Sequence, residues 1–386
     1  NNININQNGT YTISYTVTDG DGIPANTTRQ SYNVGSYGNL VLLKTGYVST
    51  LSKDGKTLAV YNTSVQIYKK ELDGSWNESG NITTDSTVTS MAFTSDGRYI
   101  IIGSSSYLTI GIVRVYKRND LFQNGWEQFG LEIYGVDYLG YFGHGVDIND
   151  DATRIIISAP EANTNSGTIL KAGSLKIFDL QDNFWIRNTQ VIEGLSPFEL
   201  LGTSVSMSRK GDIIATGSPG YARTTVSGTT LTTSNVGKTS VYRYRDNVWG
   251  LMGNNIEDGT IEKRNAYSIS LSTDGNSIAV GSESGGGVRV YNFRGEDWRP
   301  LGSQISGTFG KSVSLSGNTV VIGSEDANNG RVHIYNFTDG DWSRAGRTFE
   351  KTIVAEGGTN NMGKNVNTTS YGTSICLTSQ NDLRIY

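Results

Sequence analysis

Residues 311–346, KSVSLSGNTVVIGSEDANNGRVHIYNFTDGDWSRAG, restate residues 267–302, YSISLSTDGNSIAVGSESGGGVRVYNFRGEDWRPLG. This repeat constrains the fold more than any other feature, because a unit so short cannot bury both of its faces and must stack on its neighbours. The period runs well beyond these two copies. Trp76, Trp126, Trp185, Trp249, Trp298 and Trp342 recur at intervals of 44 to 64 residues. Each follows a segment that ends in an aromatic: VQIY, VRVY, LKIF, VYRY, VRVY and VHIY. A further segment of this kind, LRIY, ends at Tyr386 with no Trp after it.

Each unit reads as four short β-segments. The first alternates apolar and small polar residues, as in SVSLS and SISLS, which is the two-residue period of a strand. A tight turn follows, SKDGK, TSDGR, SRKGD or STDGN. The second segment is apolar throughout, as in TLAVY, YIIIGS and TVVIGS, and reads as a strand buried on both faces. The aromatic-ended strand is third and the Trp strand fourth. Four strands per unit at this spacing predict a β-propeller blade. First strands start near Val48, Val88, Val146, Val205, Ile269, Val313 and Val366, so the expectation is an all-β, seven-bladed propeller over 37–386. Its last blade lacks a fourth strand, and NLVLLKTG at 39–46 is in phase to supply one and close the ring, leaving only short strand edges. No amphipathic helical period occurs.

Composition narrows the function classes. Charged residues are 18% and the net charge is −4, which leaves no electrostatic footprint for nucleic acid or an anionic membrane. No run of 18 apolar residues exists to form a spanning helix. The lone Cys376 excludes an internal disulfide framework. The chain opens on Asn, and its first residues read like the middle of a domain, so a processed chain or part of a longer one is expected.

Several stretches carry a family resemblance. YFGHGVDINDDATRIIISAP at 141–160, LLGTSVSMSRKGDIIATGSP at 200–219 and TFGKSVSLSGNTVVIGSE at 308–325 resemble the FG-GAP repeat of integrin α-subunit-type propellers. There a Phe-Gly pair opens the blade, as at Phe142-Gly143 and Phe309-Gly310, and a Gly-Ala-Pro-like triplet follows the second strand, as at Ser158-Ala159-Pro160. The resemblance implies an extracellular recognition propeller, whose members often carry a calcium loop between the first two strands. Here that connection is a turn of two to four residues, too short for a cage of six to eight oxygens, so no cofactor is expected. DINDDA at 147–152 is the nearest calcium candidate, but its acids fall on a strand and a tight turn. Ahead of the ring, GTYTISYTVTDGDGIPANTTRQSYNV resembles the last two strands of an immunoglobulin-like module common in bacterial and viral surface proteins, giving a first segment at 1–36. Two strands cannot form a core alone, so they must dock on something.

The inventory for catalysis is thin. His144 and His333 have no Cys or second His at ligand spacing, so no zinc site is expected. Asp54, Asp96 and Asp274 sit in Ser/Thr-x-Asp-Gly turns, where the carboxylate serves its own backbone. The Trp set tracks the architecture and reads as packing between blades. What varies between repeats is the connection after the second strand, long at 159–173 and 218–238, next to the aromatic link IYGVDYLGYFG at 133–143. These loops share one face in the usual propeller order. That rim is the expected binding surface, with Tyr134, Tyr138, Tyr141, Glu161, Asn163, Asn165, Tyr221 and Arg223 available to a partner, and Tyr138, Tyr221 and Arg223 as the exposed anchors. Asn8, Asn26, Asn62, Asn77, Asn81, Asn336 and Asn367 head Asn-x-Ser/Thr sequons, acceptors for glycan if the chain meets a glycosylation system.

The reading is a non-enzymatic propeller on an extracellular, cell or virion surface, attaching to a protein or glycan. One alternative is a virion or cell-envelope structural component. The other is a glycan hydrolase or lyase working at the propeller mouth, which carboxylates, Arg or Tyr clustered there would favour over Ser, Thr and Asn.

Overall fold

In the computed structural model of the chain, the described residues are 9–15, 28–34, 48–122, 125–164, 167–227, 230–257, 264–283, 286–307, 310–324, 331–344, 353–354, 365–369, 375–378 and 383–385. They form a β-propeller whose blades are antiparallel four-stranded sheets, with strands in chain order from the axis outward. Blade 1 runs Val48–Leu51, Thr57–Tyr61, Val65–Lys70, Trp76–Ile82, and blade 2 Ser90–Phe93, Tyr99–Ser104, Ile112–Arg118, Trp126–Gln128. Blade 3 is Val146–Ile148, Arg154–Ala159, Ser174–Gln181, Phe184–Arg187, and blade 4 Ser204–Met207, Ile213–Ser218, Lys238–Arg245, Val248–Leu251. Blade 5 is Asn265–Leu271, Ser277–Ser282, Val288–Arg294, Asp297–Pro300, and blade 6 Ser312–Ser316, Thr319–Ser324, Arg331–Thr338, Asp341–Arg344. The one helical element among the described residues is a 3₁₀ turn, Tyr107–Thr109.

Seven blades were expected, and six are complete. The seventh position holds a three-stranded sheet, Asn365–Thr368, Ile375–Thr378 and Leu383–Ile385. It lies between the last blade and the first. Val366 and Ile375 share a core with Val321 and Val332 of blade 6, and Cys376 and Ile385 share one with Leu51, Leu58 and Val60 of blade 1. The closing strand expected at 39–46 lies outside the described residues. Gly9–Tyr15 and Thr28–Val34 form the expected hairpin, a two-stranded sheet of its own.

Local chemistry explains why each repeat makes the same blade. In the first turn Ser52 Oγ donates to Asp54 Oδ1 (2.6 Å), while Lys56 N donates to the same carboxylate (3.0 Å) and Thr57 N to Ser52 Oγ (2.9 Å). The same three bonds recur at Thr94, Asp96 and at Ser272, Asp274. These carboxylates are therefore turn formers. The apolar second strands are buried on both faces, Ile100, Ile155, Ile156, Ile214 and Ile278 being fully inaccessible. Glycine near the end of that strand is required by the neighbouring blade. A Cβ on Gly103, Gly217 or Gly281 would lie 2.3, 2.1 or 2.2 Å from the carbonyl oxygen of Gly143, Ala266 or Gly310. The Trp strand bolts blades together, with Trp185, Trp298 and Trp342 donating their indole N–H to Phe129, Met252 and Leu301 carbonyls of the preceding blade at 3.2, 2.7 and 2.6 Å.

Candidate functional site

The first strands enclose an axial channel of about 280 Å³. The middle residue of each SVSLS-type strand lines it: Thr50, Ala92, Asp147, Ser206, Ser270, Ser314 and Asn367. Most of these side chains also tie one blade to the next. Asp147 Oδ2 accepts from Met207 N (2.8 Å), Ser206 Oγ from Leu271 N (3.1 Å), Ser270 Oγ from Leu315 N (2.9 Å) and Ser314 Oγ from Thr368 N (3.1 Å). Asn367 Nδ2 then donates to Ser49 O (3.3 Å), carrying the belt from the three-stranded sheet to blade 1.

Asp147 is the one ionisable member of this ring of seven. It reaches the lumen yet is walled in by the blades, and burial pushes its carboxyl up to about 6 against two backbone N–H donors and the Lys53 charge. Lys53 faces the same lumen, where burial lowers its ammonium and Asp147 pulls the other way. Asn149 and Asp150 of DINDDA are occupied structurally, and Asp151 is exposed. Asn149 Oδ1 accepts from Thr153 N and Arg154 N, while Asp150 accepts from Ser95 N (3.0 Å) and pairs with Arg209. No group of three or more His, Cys, Asp or Glu arranged for a metal occurs among the described residues. Burial pushes the Cys376 thiol up to about 12, beside Ser49 Oγ at 3.6 Å, which makes it a core residue.

The second feature is the loop face above blades 2 to 4. Neighbouring loops are stitched by backbone bonds: Leu139 N to Thr109 O (2.8 Å), Glu161 N to Gly140 O (3.3 Å), Phe198 N to Leu170 O (2.9 Å) and Gly220 N to Glu199 O (3.1 Å). Along this arc Leu108, Val136, Tyr138, Leu139, Leu170, Leu195 and Phe198 are all exposed, Tyr138 by 73% and Leu195 by 79%. Leu108, Leu139, Tyr141, Phe198 and Leu200 are in the left-handed region, with φ of 45, 57, 57, 59 and 58°. Bulky side chains are held there at a cost of about 1–2 kcal/mol each. The charges on this face are matched internally. Lys171 pairs with Glu161 (2.7 Å), Lys176 with Asp137 (3.2 Å), Lys238 with Glu199 (2.6 Å), and Arg114 with Asp85 (2.8 Å) and Glu132 (2.6 Å).

The structure brings most of the sequence-derived rim residues to this face and redefines two of them. Tyr134, Tyr138 and Tyr141 are exposed. Glu161 is engaged by Lys171, and exposed Asn163 accepts from Lys171 N (2.9 Å) to form its own loop. Asn165 lies outside the described residues. Tyr221 is not the exposed anchor expected. It is half-buried under the Lys238 ammonium, 4.3 Å from the ring centroid, because Lys238 must reach the buried Glu199. Arg223 is exposed but paired with Glu257 (3.5 Å), at the base of a hairpin, Ala222–Ser227 with Thr230–Asn235, that fills the long 218–238 insertion. Sequence reasoning missed the rest of the apolar patch, Leu108, Leu139, Leu170, Leu195 and Phe198. The clue in SPFELLG and GTILKAG was apolar residues inside loops. Among the sequons, Asn77 is exposed, Asn62, Asn81 and Asn336 are half-buried, and Asn367 lines the channel, where a glycan has no room. Asn8 and Asn26 lie outside the described residues.

No protein-family model and no curated protein matches this sequence.

Proposed function

We propose that this chain is a non-enzymatic recognition propeller, with the loop face of blades 2 to 4 as its attachment surface for a protein on an extracellular, cell or particle surface. One observation carries the reading: a continuous exposed arc of Leu, Val, Phe and Tyr side chains whose surrounding charges are already neutralised. Contiguous apolar surface rimmed by polar groups marks protein interaction sites. Aliphatic tips outnumber the tyrosines, which favours a protein over a glycan, since a sugar stacks on aromatic faces. Ser206, Ser270 and Ser314 in the channel serve as blade-to-blade acceptors, as does Asp147, and the Asp150 and Arg209 that also line it pair with each other, which favours a scaffold over a catalytic mouth. In this reading the three-stranded sheet is a seventh blade completed by 39–46, the repeats are FG-GAP-like, and the N-terminal hairpin is the end of an immunoglobulin-like module. A virion or envelope component is the same scaffold in a fixed assembly.

The test replaces Tyr138, Leu170 and Phe198 together by Ser and measures retention on the native surface or particle from which the chain is isolated. Attachment should weaken at least tenfold, about 1.4 kcal/mol, with weak salt dependence because every cation named on the face is already paired and the pairs leave only a single negative charge in excess. Undiminished attachment by a folded variant would sink the reading.

A further inference from the structure

The outermost strand is the open edge of every blade, and the blades treat it differently. Opposite each Trp, the third-strand residue turns its N–H inward: Leu180 to Thr153 O, Tyr244 to Asp212 O, Phe293 to Asn276 O and Phe337 to Asn318 O, all within 2.7–2.8 Å. Trp185, Trp249, Trp298 and Trp342 therefore stand in non-hydrogen-bonded pairs, with their own N–H and C=O directed away from the sheet. In three blades a side chain covers these groups. Trp249 N donates to Gln190 Oε1 (2.8 Å), and Gln190 Nε2 donates to Trp249 O (2.6 Å). Trp298 N donates to Asp297 Oδ1 and Trp342 N to Asp341 Oδ1, both at 2.8 Å, and each Asp also accepts from Asn254 N or Ser303 N of the preceding link.

Blade 3 has the same two positions with the opposite chemistry. Leu131 stands where the links into blades 4, 5 and 6 have Gln190, Asn254 and Ser303, and Phe184 stands where blades 5 and 6 have Asp297 and Asp341. The outward N–H and C=O of Trp185 have no partner among the described residues. Leu131, Phe184 and Ile186 are 62, 49 and 46% exposed, and with Ile133, Tyr134, Trp185 and Glu132, whose carboxylate is held by Arg114, they line a groove of about 300 Å³. An apolar, uncapped edge is a template for another strand. The exposed Arg187 beyond it has no ion pair among the described residues.

The chain carries a strand of the complementary kind. GTYTISYTVTD, residues 9–19, alternates Tyr11, Ile13, Tyr15 and Val17 and ends on Asp19. Among the described residues Gly9–Tyr15 pairs only with Thr28–Val34, in a two-stranded sheet too small to be stable alone, and its other edge has no strand beside it among them. Within one chain this hairpin and blade 3 belong to separate sheets. We propose that the outer edge of blade 3 accepts the Gly9–Tyr15 strand of a second copy of this chain as a further antiparallel or parallel strand beside Trp185, the alternation of that strand's sequence matching the apolar edge. The contact is heterologous, so it builds a head-to-tail series of copies rather than a closed pair. It borders the loop face at Tyr134 but uses none of Tyr138, Leu170 and Phe198, so the two readings fail by different variants.

Sedimentation of the full chain over a range of concentrations tests this. Wild type should associate reversibly, with hydrogen exchange slowing at the amides of Phe184–Arg187. Phe184→Asp, which installs the acid that caps blades 5 and 6, should weaken association at least tenfold without lowering the melting temperature. Ile13→Asp in the donor strand should do the same. Mixed together, the two variants should form a one-to-one complex, because Phe184→Asp keeps a donor and Ile13→Asp keeps an acceptor. A wild type that stays monomeric, association unchanged by Phe184→Asp, or failure of the mixed variants to pair would each overturn the proposal.

Discussion

Blades 5 and 6 and blades 2 to 4 are built on one template and finished differently. Blades 5 and 6 are near-copies, their Trp edges are capped by Asp297 and Asp341, and neither exposes a large apolar side chain among the described residues. Blades 2 to 4 keep the same interior but carry the long loops, the left-handed apolar tips and the uncapped edge beside Phe184. Interior positions answer to the neighbouring blade, whereas loops and outer edges answer to nothing inside the ring. Departures from the template therefore collect where an external partner could use them.

The comparison breaks most visibly at the bolts. Trp298→Ala should cost about 3–5 kcal/mol in denaturant unfolding, through the cavity and the lost bond to Met252 O. Tyr138→Ala, a change of similar size on the loop face, should cost under ~0.5 kcal/mol. Equal losses would mean that the loop face is part of the core.

Two glycines sharpen the same contrast. Gly281→Ala sets a Cβ against the Gly310 carbonyl and should cost about 2–3 kcal/mol. Gly250→Ala, on the outer strand of blade 4 with nothing within 4 Å, should be neutral or stabilise by ~0.5 kcal/mol. Thermal melts of the pair decide it.

The channel belt offers a pH test. The Asp147 carboxyl is raised from 3.8 to about 6, so the native state favours its protonated form. The stabilisation is complete below the unfolded value and is lost as pH rises through about 6. Asp147→Asn should therefore be more stable than wild type by on the order of 2 kcal/mol at pH 7.5, with the gap closing below pH 4. Ser270→Ala, at the same position in blade 5, should cost about 1 kcal/mol at every pH. A pH-independent Asp147→Asn difference would show that burial does not govern this carboxyl.

The smallest effect concerns strain. Phe198→Gly relieves a left-handed backbone at φ 59° and should change stability by no more than ~1 kcal/mol, in the stabilising direction, while weakening attachment. A marked destabilisation would make Phe198 a packing residue instead.

The propeller was legible because its causes are local and repeat: alternation in SVSLS, the Ser-x-Asp-Gly turn, an apolar second strand, and a Trp one strand later. The turn aspartates, and the exposure of Tyr134, Tyr138 and Tyr141, were legible for the same reason, since loop length and aromatic content are properties of the string. Other features depend on partners far apart in the chain. Tyr221 reads as a loop aromatic until Lys238 and Glu199 come together beside it. Asp147 reads as part of an acidic run until the ring closes around it and desolvates its carboxyl. Phe184 reads as one more aromatic before a Trp until the Leu131 link arrives next to it and leaves the edge of blade 3 open. By itself the sequence determined the kind of blade and its repetition, because hydrogen-bonding turns and strand periodicity act within a few residues. Only the tertiary structure decided which of those residues meet solvent, a charge or a neighbouring blade, because burial and electrostatics are set by what the rest of the ring brings alongside.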